Sequence, residues 1–76
     1  MIHEVILQRG HHEDRLVVSG DIHAWLTDHQ AKPTKDPSRF TVHGWRCLVN
    51  PVAHETAEAV ARIIPGGAMA KALATT

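Results

Sequence analysis

Apolar residues gather in two short runs near the start of the chain and then change their spacing. "IHEVILQR", from Ile2, is β-rich and mostly apolar, and "RLVVSG", from Arg15, is a second run of the same kind. Between them lies "GHHED", Gly10 to Asp14, with one glycine and four polar side chains. Two β-like runs joined by about five such residues predict a hairpin with an exposed loop. In "SGDIHAWLTDHQAK" the period becomes helical: Ile22, Trp25, Leu26 and His29 fall on one face. Asp21 or Ser19 can accept hydrogen bonds from the free N–H groups that open a helix. Pro33 is expected to end it, because proline disfavours helical geometry in the residue before it.

"KPTKDPS", Lys32 to Ser38, is polar with two prolines and reads as a connector. "RFTVHGWRCLV", Arg39 to Val49, reads as one strand. Phe40, Val42, Gly44, Arg46 and Leu48 fall on one face; Thr41, His43, Trp45, Cys47 and Val49 fall on the other. Apolar groups on both faces place it mid-sheet. In "NPVAHETAEAVARII", Asn50 is expected to cap a helix and Pro51 to occupy its first position. Val52, Thr56, Ala59, Val60 and Ile63 would be its buried stripe, and Glu55, Glu58 and Arg62 its wet face. "IPGG" stops it, and "GAMAKALATT" has at most a short helix, with Met69 and Leu73 one turn apart. The pattern therefore predicts an α+β chain of β-β-α-β-α order: one compact domain over residues 1–76, with a small three-stranded sheet. Two helices pack on one face, with a short C-terminal helix or tail.

Composition narrows the function classes. A chain of 76 residues buries only about 60% of its extended surface, so a partner or second copy is a natural source of added stability. Eight basic residues balance eight acidic ones, so net charge exerts no general pull toward nucleic acid or anionic lipid. One cysteine, Cys47, excludes an internal disulfide and favours a reducing setting, and the opening residues fit neither a signal peptide nor a membrane span. The expected location is cytoplasmic, with no membrane partner.

The seven histidines invite a metal reading, but zinc sites usually take four ligands in close pairs, and no CxxC is present. His43 and Cys47 would lie about 13 Å apart on a straight strand. "HETAE", His54 to Glu58, resembles half of a zinc-protease helix, but Glu58 stands where the second histidine belongs. Cys47, mid-strand, reads as a packed thiol, and neither a GxGxxG nor a P-loop occurs. The expectation is no catalytic residue, no cofactor and no metal. A histidine-held metal or a pH response remains an alternative, because protonating all seven histidines would take the formal charge from 0 to 8 + 7 − 8 = +7.

Binding is the class that is left. Lys32, Lys35, Arg39 and Arg46 form a basic segment that could touch phosphates, but Asp36 sits among them, so nucleic acid is the less favoured alternative. Trp45 and Arg46 point to opposite sides of a strand, and both residue types dominate binding hot spots. The leading expectation is a non-enzymatic module that docks on, and blocks, another protein or complex. Trp45 and Arg46 would be its centre, and Lys32, Lys35 and Arg39 a charged rim. Met69 and Leu73 would be partner contact or homodimer seam. Small size without reactive chemistry is shared with inhibitors encoded by phages and mobile elements, anti-CRISPR proteins among them, although no motif carries that likeness.

Overall fold

The computed structural model describes residues 1–53, 57–63 and 65–74. His54, Glu55 and Thr56, and with them most of the "HETAE" motif, lie outside the described residues.

Strands β1 (Ile2–Arg9) and β2 (His12–Ser19) pair antiparallel from Ile2↔Ser19 to Arg9↔His12. The expected five-residue loop is a two-residue turn, Gly10–His11. Gly10 has φ +61°, the sign a type II′ turn needs at its first central position and one that glycine adopts without steric cost. His12, Glu13 and Asp14 therefore belong to β2.

Helix α1 (Ile22–Asp28) opens as the sequence indicates: Asp21 Oδ1 accepts the N–H groups of His23, at 2.9 Å, and Ala24. Leu26 and His29 are buried, and Ile22 and Trp25 are partly buried against the core. The helix does not wait for Pro33. Gln30 turns left-handed (φ +57°), with Gln30 N–H bonded to Thr27 C=O and Ala31 N–H to Leu26 C=O. These are the two bonds of a Schellman ending, here without the usual glycine.

The stretch read as one strand is a hairpin. β4 (Arg39–Val42) and β5 (Trp45–Pro51) pair antiparallel across His43–Gly44, whose φ values of +51° and +82° carry the signs of a type I′ turn. The turn corrects the face assignment. Phe40 lies opposite Cys47 and Val42 opposite Trp45, so Phe40, Val42, Trp45, Cys47 and Val49 share one face. Arg39, Thr41, Arg46 and Leu48 share the other. The connector adds a two-residue strand, β3 (Lys32–Pro33), paired with β4. The sheet thus has five strands, not three, in the order β2-β1-β5-β4-β3. β5 is central, as the apolar pattern of its second half indicates.

Asn50 and Pro51 do not start a helix. They continue β5 opposite Glu4 and His3 of β1, since the sheet offers them a partner strand that an isolated cap would lack. The described helical turns downstream are α2 (Ala57–Ala61) and α3 (Ala68–Ala74). Val5, Leu7, Leu16, Val18, Val42 and Cys47 of the sheet meet Leu26 of α1 and Ala70 and Leu73 of α3 in one core. α1 and α3 cover the same face. The radius of gyration, 11.7 Å, matches the roughly 11 Å of a compact chain of this length. Among the described residues no helix is long and apolar enough to cross a membrane.

α3 is fastened to β2 by a buried carboxylate. Asp14 Oδ2 accepts the N–H groups of Met69 at 2.9 Å and Ala70 at 3.2 Å. Arg15 and Gly66 exchange both backbone bonds beside it. Gly67 has φ +102°, and a Cβ there would overlap the Asp14 carboxylate.

Candidate functional site

Helices cover one face of the sheet; the other is the candidate site. Register builds it row by row. Arg15, Ile6, Leu48 and Arg39 stand side by side across four strands. Next to them run Glu13, Gln8, Arg46, Thr41 and Lys32. The side chains are half-buried or exposed, as expected of a sheet face with one side open.

Charge divides this face. On the β2 side Arg15 lies 3.6 Å from Glu13 and 3.9 Å from Glu4, one cation between two carboxylates. On the β5–β4–β3 side stand Arg46, Arg39 and Lys32. Arg39 lies 3.5 Å from Asp36, with both side chains well exposed, where an ion pair is worth little. Arg46 has no ion-pair partner among the described residues. The Asp36 carboxylate also accepts Ser38 N–H at 2.9 Å and Ser38 Oγ–H at 2.7 Å, both at Oδ1, which leaves Oδ2 to Arg39. Those bonds, with Arg39 beside them, hold its pKa below the ordinary value. The cationic side keeps its excess.

A cavity of about 420 Å³ opens here, with Ile6 and Leu48 on its floor and Gln8, Thr41, Arg39 and Arg46 around it. Thr34 closes one side. Its hydroxyl donates to Arg39 C=O at 2.8 Å and accepts Asp36 N–H at 3.2 Å, which folds the connector against β4. A second depression, lined by Arg9, Gly10 and Gly44, shares Gln8 and Arg46 with the first. An apolar floor ringed by guanidinium and hydroxyl groups suits a ligand with carboxylates on an apolar frame. Burial of Cys47 pushes its thiol up to about 11.

The expected binding residues separate. Arg46, Arg39 and Lys32 come together on the open face, and Lys35 is exposed on the connector beside it. Trp45 lies on the opposite, core-facing side, half-buried against the core, as does Trp25. Leu73 is 5% exposed and Met69 packs on the same core, so α3 spends these two side chains within the chain. Gln8, Thr41, Ile6 and Leu48 were not singled out from sequence. Reading His43–Gly44 as a turn would have placed Thr41 opposite Arg46 and Arg39 opposite Leu48. Among the described residues no group of three or more His, Cys, Asp and Glu side chains could hold a metal ion. No protein-family model, curated protein or solved structure matches this chain.

Proposed function

We propose that the protein is a non-enzymatic binding module whose open sheet face docks an acidic segment of another protein. One observation carries this reading: Arg46, Arg39 and Lys32 share a face with an apolar floor, and among the described residues Asp36 is the one carboxylate paired with them. Charge complementarity selects an acidic partner, and Ile6 and Leu48 give it apolar surface to bury. Nucleic acid fits less well. Single strands bind by stacking bases on aromatic side chains as well as by charge, and the two tryptophans, Trp25 and Trp45, pack against the core instead.

Deca-glutamate and the oligonucleotide (dT)10 serve as probes in an amide NMR titration at low salt. The proposal expects deca-glutamate to shift the amides of Ile6, Gln8, Thr41, Arg46 and Leu48 and to leave α1 and α3 unmoved. Tighter binding of (dT)10 to the same face would replace the protein partner with nucleic acid. Shifts confined to the helical face would remove the site altogether.

A further inference from the structure

The helical face has a depression of its own, between α1, the connector and the ends of β1 and β5. Its volume is about 290 Å³, at the small end of ligand pockets. Ile22, Leu26, Phe40 and Val49 make its lining mostly apolar, and His23 and Ser38 are among its few polar residues. Among the described residues no Asp, Glu, Lys or Arg lines it. His3 of β1 does, and this imidazole is only 7% exposed.

His3 Nδ1 is the notable atom. It is buried, and it has no hydrogen-bond partner among the described residues. A buried polar nitrogen without a partner is costly, and buried polar groups are generally satisfied. The sheet offers it little, since the residue opposite His3 on β5 is Pro51, which has no N–H. An apolar hollow with one unsatisfied imidazole and, among the described residues, no charged lining has the chemistry of a specific pocket: shape and apolar contact for affinity, one polar group for orientation.

We propose that this depression is a second binding site, independent of the cationic face, for a small neutral aromatic molecule bearing a single hydroxyl. The ring packs on Ile22, Leu26, Phe40 and Val49. The hydroxyl donates to His3 Nδ1, which the imidazole presents by turning about its Cβ–Cγ bond. Neutrality follows from the lining, because a charged group there would be desolvated without a counter-charge.

Phenol and toluene, which exchange a hydroxyl for a methyl on one outline, test this in uniformly ¹⁵N-labelled protein. Phenol should give saturable shifts at the amides of His3, Ile22 and Leu26, and should move the imidazole nitrogens of His3. Toluene should bind at least about tenfold more weakly, since it leaves the nitrogen unsatisfied. His3→Phe keeps a ring and removes the nitrogen, so it should abolish the preference for phenol. Equal binding of the two probes, an unchanged preference in His3→Phe, or imidazole nitrogens unmoved by saturating phenol would each overturn the proposal. The imidazole measurement uses the wild-type chain, so it stands whether or not the variant folds.

Discussion

Replacing Asp14 with alanine should release α3 from the sheet. The carboxylate is 7% exposed and accepts two N–H groups, from Met69 at 2.9 Å and Ala70 at 3.2 Å. It therefore plays the part of an N-cap for a helix that begins more than fifty residues later. Losing a helix cap costs about 1 kcal/mol, and a hydrogen bond to a charged group is worth about 1.5–3 kcal/mol. With some overlap between those figures, Asp14→Ala should cost about 2–3 kcal/mol. In a chain this short that lowers Tm by roughly 10–20 °C. Asp14→Asn keeps an acceptor and loses the charge, so its cost should be about half. Gly67 provides the control for mechanism. Gly67→Ala carries a Cβ into the carboxylate and is strained at φ +102°. Once Asp14 is alanine, only the strain remains. The double variant should therefore be less destabilised than the sum of the singles, by about 1 kcal/mol or more. Urea denaturation of the four proteins measures the cycle, and hydrogen exchange at Met69 and Ala70 locates it. Additive effects, or an Asp14→Ala cost below about 0.5 kcal/mol, would show that the carboxylate does not hold α3, because exposed positions without such a role give values of that size.

Gln30→Gly should stabilise the chain by about 0.5–1 kcal/mol, because glycine adopts the left-handed C-terminal position of α1 without the Cβ penalty; a thermal melt that moves down would contradict this. The buried Cys47 thiol should resist thiol reagents at pH 8 in the folded protein and react once urea unfolds it. Its proton is held to about pH 11 in the folded state, against 9.0 for an ordinary thiol. The stability this contributes is therefore full below pH 9 and is lost as pH rises toward 11, and a urea midpoint that rises over that interval would have the wrong sign. His43→Asn should leave the β4–β5 hairpin intact and modestly raise stability, since asparagine followed by glycine is favoured in a type I′ turn; a fall of more than about 1 kcal/mol would show that the His43 side chain has a further role.

Local chemistry was legible where it acted alone. Asp21 caps α1, and the stripe of Ile22, Trp25, Leu26 and His29 faces the core, because both follow from spacing within a few residues. Misreadings began where two local solutions compete. His43–Gly44 is a less familiar turn pair than Asn-Gly or Asp-Gly, so the β-branched and aromatic residues around it read as one strand. That error hid two strands' worth of pairing and reversed the face of Phe40 and Val42 relative to Trp45. Asn50–Pro51 suits a helix start equally well on paper; the pairing of Pro51 with His3 settles it as strand. Asp14 was illegible in kind, since its meaning depends on backbone N–H groups far along the chain. Of the expected binding residues, the cations survive as surface groups, because charge keeps a side chain wet, whereas Trp45, Met69 and Leu73 go where a small core can use them.

Charge reversal on the open face separates binding at Arg39 and Arg46 from attraction to the whole chain. The affinity for deca-glutamate is measured for the wild-type chain, for the Arg39→Glu/Arg46→Glu double variant, and for Lys71→Glu on α3, which is exposed and lies on the helical side. The double variant should lose at least about tenfold, from two reversed charges at a cationic site, with Tm unchanged within a few degrees. Lys71→Glu should lose less than about twofold beyond what total charge imposes on any anionic ligand. A loss in the double variant no more than twice, in free energy, that of Lys71→Glu would overturn the assignment, because the double variant changes the charge by twice as much and the attraction would then be a property of net charge and not of the Arg39–Arg46 face.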